Sequence, residues 1–215
     1  MRISNKHLSA GFKALIAVCA WAGILIQCGV FSGDMDFSML RYYTLVSNVL
    51  IACYFSVACV RAIKGGATLL PDLKGALIMG ITVTGLVFHT MLSHISFNMG
   101  STQTVANQLL HTVTPLLCVA DWLLFDEKGR YTKLSPLKWV IIPDIYFVFA
   151  TIYGFTSGAT FYDGSRFPYF FIDYDRLGAG KVMLYVVGLN LAFVALGYVF
   201  VLIDHMFNKK TRRKR

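Results

Sequence analysis

Charge is scarce in this chain. Only 14% of its 215 residues are Asp, Glu, Lys or Arg, where a soluble domain carries about 25%. A shortage on that scale excludes a conventional water-exposed surface. The five cysteines, Cys19, Cys28, Cys53, Cys59 and Cys118, form no CxxC pair and no metal-ligand spacing. They read as small buried apolar residues, and no metal centre or cofactor is expected from them. No internal repeat, low-complexity tract or soluble module interrupts the chain. Acid is scarcer than base, 11 residues against 20, for a formal net charge of +9. Such an excess can signal nucleic-acid binding. Here the basic residues gather at the ends of apolar segments and in the tail, which is a membrane pattern, so no nucleic-acid partner is expected.

Uncharged apolar sequence takes up the rest. Ala14–Gly33, Tyr42–Val60, Gly75–Ala120, Ile145–Tyr162 and Val182–Ile203 carry no charge at all. A helix needs ~20 such residues to cross ~30 Å of hydrocarbon. The run of 46 residues from Gly75 is too long for one crossing. It divides at the polar segment Ser96-Phe97-Asn98-Met99-Gly100-Ser101-Thr102-Gln103. These patterns predict an all-α polytopic membrane bundle of six transmembrane helices, near 12–32, 42–62, 75–95, 104–125, 138–158 and 181–204. Residues 1–208 then form one domain, and 209–215 a basic tail. The N-terminus starts basic and turns apolar, as a signal peptide does. Its apolar run is too long, no small-x-small site follows, and Gln27 before Cys28 does not fit lipoprotein processing, so the first span is expected to stay.

Lys and Arg set the orientation. Sixteen of the twenty lie in the N-terminal segment, the second–third loop, the fourth–fifth loop and the tail; only Arg41, Arg166, Arg176 and Lys181 lie on the other side. The positive-inside rule predicts both termini in the cytoplasm of a bacterial inner membrane. The tail 209–215 reads first as a topology anchor, with anionic membrane lipids as possible contacts.

Polar residues inside such spans are costly and tend to be functional. On the second span Thr44, Ser47, Asn48 and Ile51 share one helical face, on the third Thr82, Gly85, His89 and Ser93, on the fourth Asn107, His111, Thr114, Cys118 and Asp121. These faces should turn inward, since lipid offers them no hydrogen bonds. The second and fourth spans run from outside to inside, so Thr44 and His111 sit at depths of roughly 3 and 10 Å at ~1.5 Å per residue. The third runs the other way, which brings His89 and His94 to the same layer. Thr44, Asn48, His89, His94, Asn107 and His111 therefore converge on the outer leaflet. Asp121, Asp144, Asp204 and His205 form an inner set. Asp121-Trp122 reads as an interfacial anchor, with Arg130 or Lys138 as the partner of Asp121. Asn190, in mid-span, reads as an interhelical hydrogen bonder.

An imidazole beside a hydroxyl is the smallest unit capable of nucleophilic acyl chemistry. The base takes the hydroxyl proton as the oxygen attacks a carbonyl, and the pKa of His near neutrality suits it to that task. Thr44 and His111 form such a pair of candidates, Thr44 as nucleophile and His111 as base. Asn48 or Asn107 is a candidate to orient the ring or to donate to an oxyanion. His89 and His94 stand as supporting residues.

Three motifs carry a resemblance. Arg41-Tyr42-Tyr43-Thr44-Leu45-Val46-Ser47-Asn48, His111-Thr112-Val113-Thr114-Pro115 followed by Asp121-Trp122-Leu123-Leu124-Phe125, and Phe167-Pro168-Tyr169-Phe170-Phe171-Ile172-Asp173 before Gly178 resemble the second span, fourth span and fifth–sixth loop of the bacterial Pr-six-Pr family. That group is similar to the animal androgen-induced and androgen-dependent membrane proteins, intramembrane threonine hydrolases of fatty acid esters of hydroxy fatty acids. The resemblance covers most of the chain. It implies the six-span fold, a lipid or acyl-ester substrate, and catalytic roles for Thr44 and His111, although the interval from Thr to His is shorter here. The expected function is an intramembrane lipid-ester hydrolase or acyltransferase acting in an outer-leaflet cavity. Thr44 and His111 should point at each other across that cavity, in the outer half of the bundle, and elongated lipid-like density or a closed cavity between the second, third and fourth spans is the observation that would mark it. The aromatic outer loop, residues 159–180, reads either as an interfacial belt or as a lid over it.

Two other functions use the same residues. A transporter or channel would pass a solute along the polar stripe with Asp121 as relay; the lack of inverted repeats and the clustering of histidines on one side weigh against it. A bis-His haem protein would take His89 or His94 together with His111 as ligands.

Overall fold

The computed structural model describes residues 3–93, 101–161 and 164–212, without the side chains of 101 and 209–212. His94, residues 96–100 of the dividing segment, Tyr162 and residues 213–215 of the tail lie outside the described residues. Six helices are long and apolar enough to cross a membrane: α1 (Lys6–Gln27), α2 (Tyr43–Ile63), α3 (Pro71–Leu92), α4 (Thr102–Phe125), α5 (Ser135–Thr156) and α6 (Tyr174–Asn208). The described residues contain no strand.

Contacts between distant segments give the bundle its ends. Ile3 N–H donates to Leu124 O at 2.8 Å. Tyr131 N–H donates to the Asp204 carboxylate at 3.0 Å, and His205 Nε2 lies 2.9 Å from Tyr131 O. The start of α1, the end of α4, the α4–α5 connection and the end of α6 therefore share one end. Thr44, His111 and the α5–α6 loop lie toward the other. Helices α1 to α4 form a ring in chain order, with α1 meeting both α2 and α4; α5 and α6 pack outside α3. Ile16, Ile51, Phe55, Ile78, Met79 and Ile81 are fully enclosed at the centre.

Local signals explain the observed boundaries. The first helix begins at Lys6, six residues before the expected start. Asn5 caps it there, its side chain accepting from the N–H groups of His7 and Leu8 at 3.0 and 3.1 Å. It ends at Gln27 because Gly29 takes φ 70°, and a Cβ at that position would strike Asp34 O. The third helix begins at Pro71 rather than Gly75, so Asp72 and Lys74 belong to it. At the far end of the chain α6 contains a break at Gly178 (φ 72°, ψ 160°).

Those early starts draw charge into the bundle. Lys13 bonds Asp121 at 2.7 Å, and Lys74 bridges Asp121 at 2.5 Å and Asp126 at 2.7 Å. Lys74 and Asp121 are fully buried. The expected partners of Asp121 were Arg130 and Lys138, and both are wrong. Arg130 pairs with Glu127, Lys138 is exposed, and Asp121 faces α1 and α3 instead. Buried ions need close partners because desolvation is expensive, and α1 and α3 supply the only lysines that face Asp121 among the described residues. The cysteine expectation also needs correction at one place. Cys28 and Cys118 are buried, but Cys53 is exposed on the outer side of α2.

Beside the ion network sits an aromatic stack. Trp122 lies parallel to Tyr131 (5.9 Å between centroids), which meets Trp139 edge-on at 4.8 Å. Gly75 admits this stack, since a Cβ there would lie 2.5 Å from Trp139 Cζ2 and 2.9 Å from Tyr131. Alanine improves helix propensity by about 1 kcal/mol, whereas overpacking costs about 1–3 kcal/mol. Rigid rings do not yield easily, so the second effect should win. Gly75→Ala is expected to lower the melting temperature in detergent, and an unchanged or higher value would refute this packing argument.

Candidate functional site

Two helices depart from α geometry where they carry histidine. Phe88–Leu92 in α3 and Leu109–Val113 in α4 are π-helical turns, with His89 in the first and His111 in the second. A π turn inserts a residue into the ladder, frees a carbonyl, and recurs at functional sites. Around Leu109–Val113 the carbonyls of Asn107 and Leu110 accept side-chain bonds. Gly85 brings α3 against this turn; a Cβ there would lie 2.9 Å from His111 O.

Thr44 stands two residues into α2. Asp36 caps the 3₁₀ turn Phe37–Arg41, its side chain accepting from Ser38 N–H at 2.8 Å. The chain then turns through extended Tyr42 into the helix. Thr44 Oγ1 lies 3.1 Å from His111 Nε2, and His111 Nδ1 lies 3.1 Å from Asn107 O. A carbonyl only accepts, so in the neutral ring Nδ1 carries the hydrogen and Nε2 is the acceptor. The Thr44 hydroxyl then donates to Nε2. Phe88 stacks on the imidazole at 4.0 Å between centroids, 25° from parallel, and fixes the ring from its other face.

The other candidates divide. Asn107 orients His111, but through its backbone oxygen rather than its side chain. Asn48 neither touches the imidazole nor has an N–H left for an oxyanion. Its amide donates to Thr44 O at 2.8 Å and Leu110 O at 3.2 Å, clamping α2 to the π turn, while its Oδ1 is buried without a partner. His89 is exposed and bonds Thr112 at 3.0 Å, away from Thr44, because its π turn rotates it out of the ring. His94 lies outside the described residues. On α3 it is Thr84 rather than Thr82 that meets α2: its hydroxyl is 2.9 Å from Ser47 Oγ, whereas Thr82 bonds its own backbone at Ile78 O. A haem held by His89 and His111 would need both to face one space, and the exposed His89 does not share the enclosed side of His111; the pairing of His94 with His111 lies outside the described residues. Asp121, the relay of the transport reading, is held in the Lys13–Lys74–Asp126 network.

The cavity adjoins Thr44, and His111 is not among the residues that line it. It holds about 90 Å³ between α2, α3, α5 and α6, with Tyr169, Phe171 and Ile172 of the outer loop along one side. The expected position between the second, third and fourth spans is filled by the Phe88–His111 stack. Tyr43, Thr44, Val83, Thr84 and Tyr169 line one part of it. Asp144 and Asn190, joined at 2.9 Å, line it from α5 and α6. At ~1.5 Å per residue Asp144 lies roughly 14 Å along α5, in the middle of the bundle. Asp144 thus belongs to the cavity wall, not to the inner set with Asp204.

The α5–α6 loop folds back over this space. Ser165 donates to Asp173 at 2.7 Å, and Asp173 in turn accepts from Asp175 and Arg176 N–H to start α6. Phe167 is buried against Gly154. Phe161 and Tyr169 meet Tyr42 edge-on at 5.1 and 6.1 Å, and the Arg41 guanidinium stands 4.9 Å over Phe161. Tyr169 is the site residue that sequence reasoning did not single out. Its motif was visible, but nothing in it said which aromatic turns inward.

In comparisons with known proteins, no family model, no curated protein and no solved structure matches the chain.

Proposed function

We propose that this protein is an intramembrane hydrolase or acyltransferase of lipid esters, with Thr44 as nucleophile and His111 as general base. One observation carries the reading: a threonine hydroxyl 3.1 Å from an imidazole whose other nitrogen is anchored 3.1 Å from a backbone carbonyl. That arrangement presents a basic nitrogen to the hydroxyl. The apolar cavity at Thr44 favours an acyl chain over a polar solute. The resemblance to threonine hydrolases points the same way. The protein would work in a bacterial inner membrane with both termini cytoplasmic, as the distribution of Lys and Arg indicates. Thr44 would then face the acyl carbonyls of the outer leaflet.

Purified protein in detergent should label with a fluorophosphonate and release fatty acid from long-chain esters. Equal labelling and release by wild type and Thr44→Ala would make Thr44 a structural residue and end the proposal. Topology has its own test. A reporter active only in the periplasm should give signal when fused after Ser157 and none when fused after Arg215. Activity of the Arg215 fusion would overturn the cytoplasmic termini.

A further inference from the structure

Resting on the hydrolase reading above, we infer that the Tyr169 hydroxyl is a further catalytic group, the donor that receives the oxyanion when Thr44 attacks an acyl carbon. The argument begins with the two sides of Thr44. His111 occupies the α4 side, stacked on Phe88. A substrate carbonyl must therefore approach from the cavity side. The carbonyl oxygen needs donors there, within reach of Thr44 Oγ1.

Most polar hydrogens on the cavity wall are already committed. Thr84 gives its proton to Gly80 O at 3.2 Å, Tyr146 to Arg41 O at 2.9 Å, and Asn190 bonds Asp144 at 2.9 Å. The Tyr43 hydroxyl is buried without a partner among the described residues, but it lies against Gly80, one turn deeper along α3 than Thr84. Tyr169 is different. It lines the cavity together with Thr44, its phenol adjoins the Thr44 hydroxyl and the N–H groups of Thr44 and Tyr43, and the Tyr146 hydroxyl, whose own proton goes to Arg41 O, lies beside it as well. Those two N–H groups belong to the first turn of α2, where a helix start leaves donors without helical partners, and the Tyr43 N–H also adjoins the Tyr146 hydroxyl. Tyr42 offers α2 no side-chain cap, and its carbonyl is taken by Leu45 and Val46 N–H at 3.0 and 3.1 Å. The phenol oxygen thus stands beside the nucleophile, over two backbone donors, where an acyl oxygen would be stabilised.

Placement of the ring is fixed by packing. Tyr169 stacks on Phe171 at 5.2 Å and leans on Tyr42 and Tyr146 at 6.1 and 6.4 Å. Tyr42, Tyr43 and Tyr146 are the titratable groups that face it. Burial pushes the Tyr169 phenol up to about 12, so it keeps its proton throughout an ordinary assay.

The step balances as follows. Thr44 Oγ1 bonds to the acyl carbon while its proton passes to His111 Nε2, and the carbonyl π pair moves to oxygen, where Tyr169 O–H donates to it. Collapse expels the alkoxide, which takes the proton from His111. Water repeats the sequence on acyl-Thr44, releasing the acid and returning the proton to Thr44.

Tyr169→Phe keeps the ring and removes only the donor. Loss of one oxyanion donor lowers kcat by ~10²–10³-fold. The expected result is that fall in kcat and in fluorophosphonate labelling rate, with KM and melting temperature unchanged. An active wild type, a dead Thr44→Ala and a Tyr169→Phe within about threefold of wild type would overturn this inference and leave the hydrolase reading standing. Equal activity in wild type and Thr44→Ala would remove the hydrolase reading, and this inference with it. If Tyr169→Phe does not fold, a fluorinated tyrosine installed at position 169 decides the matter. It keeps ring and hydroxyl but ionises at lower pH, and an ionised phenol cannot donate. Its alkaline loss of activity should move to lower pH than in wild type. An unmoved limb, which a purely structural Tyr169 would give, overturns the inference.

Discussion

Thr44→Ala and His111→Ala should each reduce ester hydrolysis to the level of the uncatalysed reaction while leaving the fold intact. The first removes the atom that bonds the acyl group. The second leaves an alcohol with no base, and an unassisted threonine is a poor nucleophile at neutral pH. General-base assistance alone is worth about 10²–10⁴-fold. Combining the substitutions separates a catalytic unit from two independent residues. Where two groups serve one step, removing both is hardly worse than removing either, so the double mutant should match the single ones. Multiplied losses would mean that His111 and Thr44 contribute separately and that the 3.1 Å contact is a structural bond.

His111→Asn is a useful companion. An amide can still accept from Thr44 but cannot hold the transferred proton. Retained turnover in His111→Asn would sink the general-base role even with Thr44 essential. Integrity of the bundle can be read from thermal unfolding. Neither Thr44, at the cavity wall, nor the partly buried His111 belongs to the ion network that ties α1, α3 and α4.

The physics of solvent exclusion made most of the fold legible. Apolar runs mark the six crossings because hydrocarbon tolerates nothing else at that length. The inward faces of α2 and α4 followed from the same rule, and Thr44, Ser47, Asn48, Thr114, Cys118 and Asp121 are all buried. Failures arose where a contact overrides the local pattern. Lys74 looked like a loop cation flanking a span, yet it lies inside one because Asp121 and Asp126 surround it. A partner 47 residues away leaves no local trace. The π turns are equally silent in composition, and one of them carried His89 out of the site while the other aimed His111 into it. Helical periodicity places a residue on a face only while the helix keeps its 3.6-residue turn. Side-chain chemistry proved no guide to whether Asn107 acts through its amide or its carbonyl. The cavity moved to the α5–α6 side for a reason of volume, since Phe88 fills the space where three polar faces had suggested an opening.

Lys74→Ala should be among the most damaging substitutions in the chain, although Lys74 is remote from Thr44. Its ammonium bridges Asp121 at 2.5 Å and Asp126 at 2.7 Å with no exposed surface. Without it, Lys13 remains as the ion partner of Asp121, and Asp126 keeps the Thr68 hydroxyl at 3.2 Å. The enclosed group would then hold two carboxylates against one ammonium. Breaking a buried ion pair by removing one member costs about 3–5 kcal/mol, a large share of a stability of about 5–15 kcal/mol. Lys74→Ala is therefore expected to unfold at markedly lower temperature in detergent and to accumulate poorly in the membrane. The loss should come from uncompensated charge more than from missing side-chain volume, and a second substitution separates the two. Lys74→Met with Asp126→Leu leaves the neutral Lys13–Asp121 pair and fills the space with apolar atoms. Replacing a whole buried pair in this way is often neutral or stabilising, so the double variant should recover most of the stability lost by Lys74→Ala. A single substitution with a melting temperature like that of wild type would show that water reaches these charges. A double variant as unstable as Lys74→Ala would show that geometry, not charge balance, is what the network supplies at this end of the bundle.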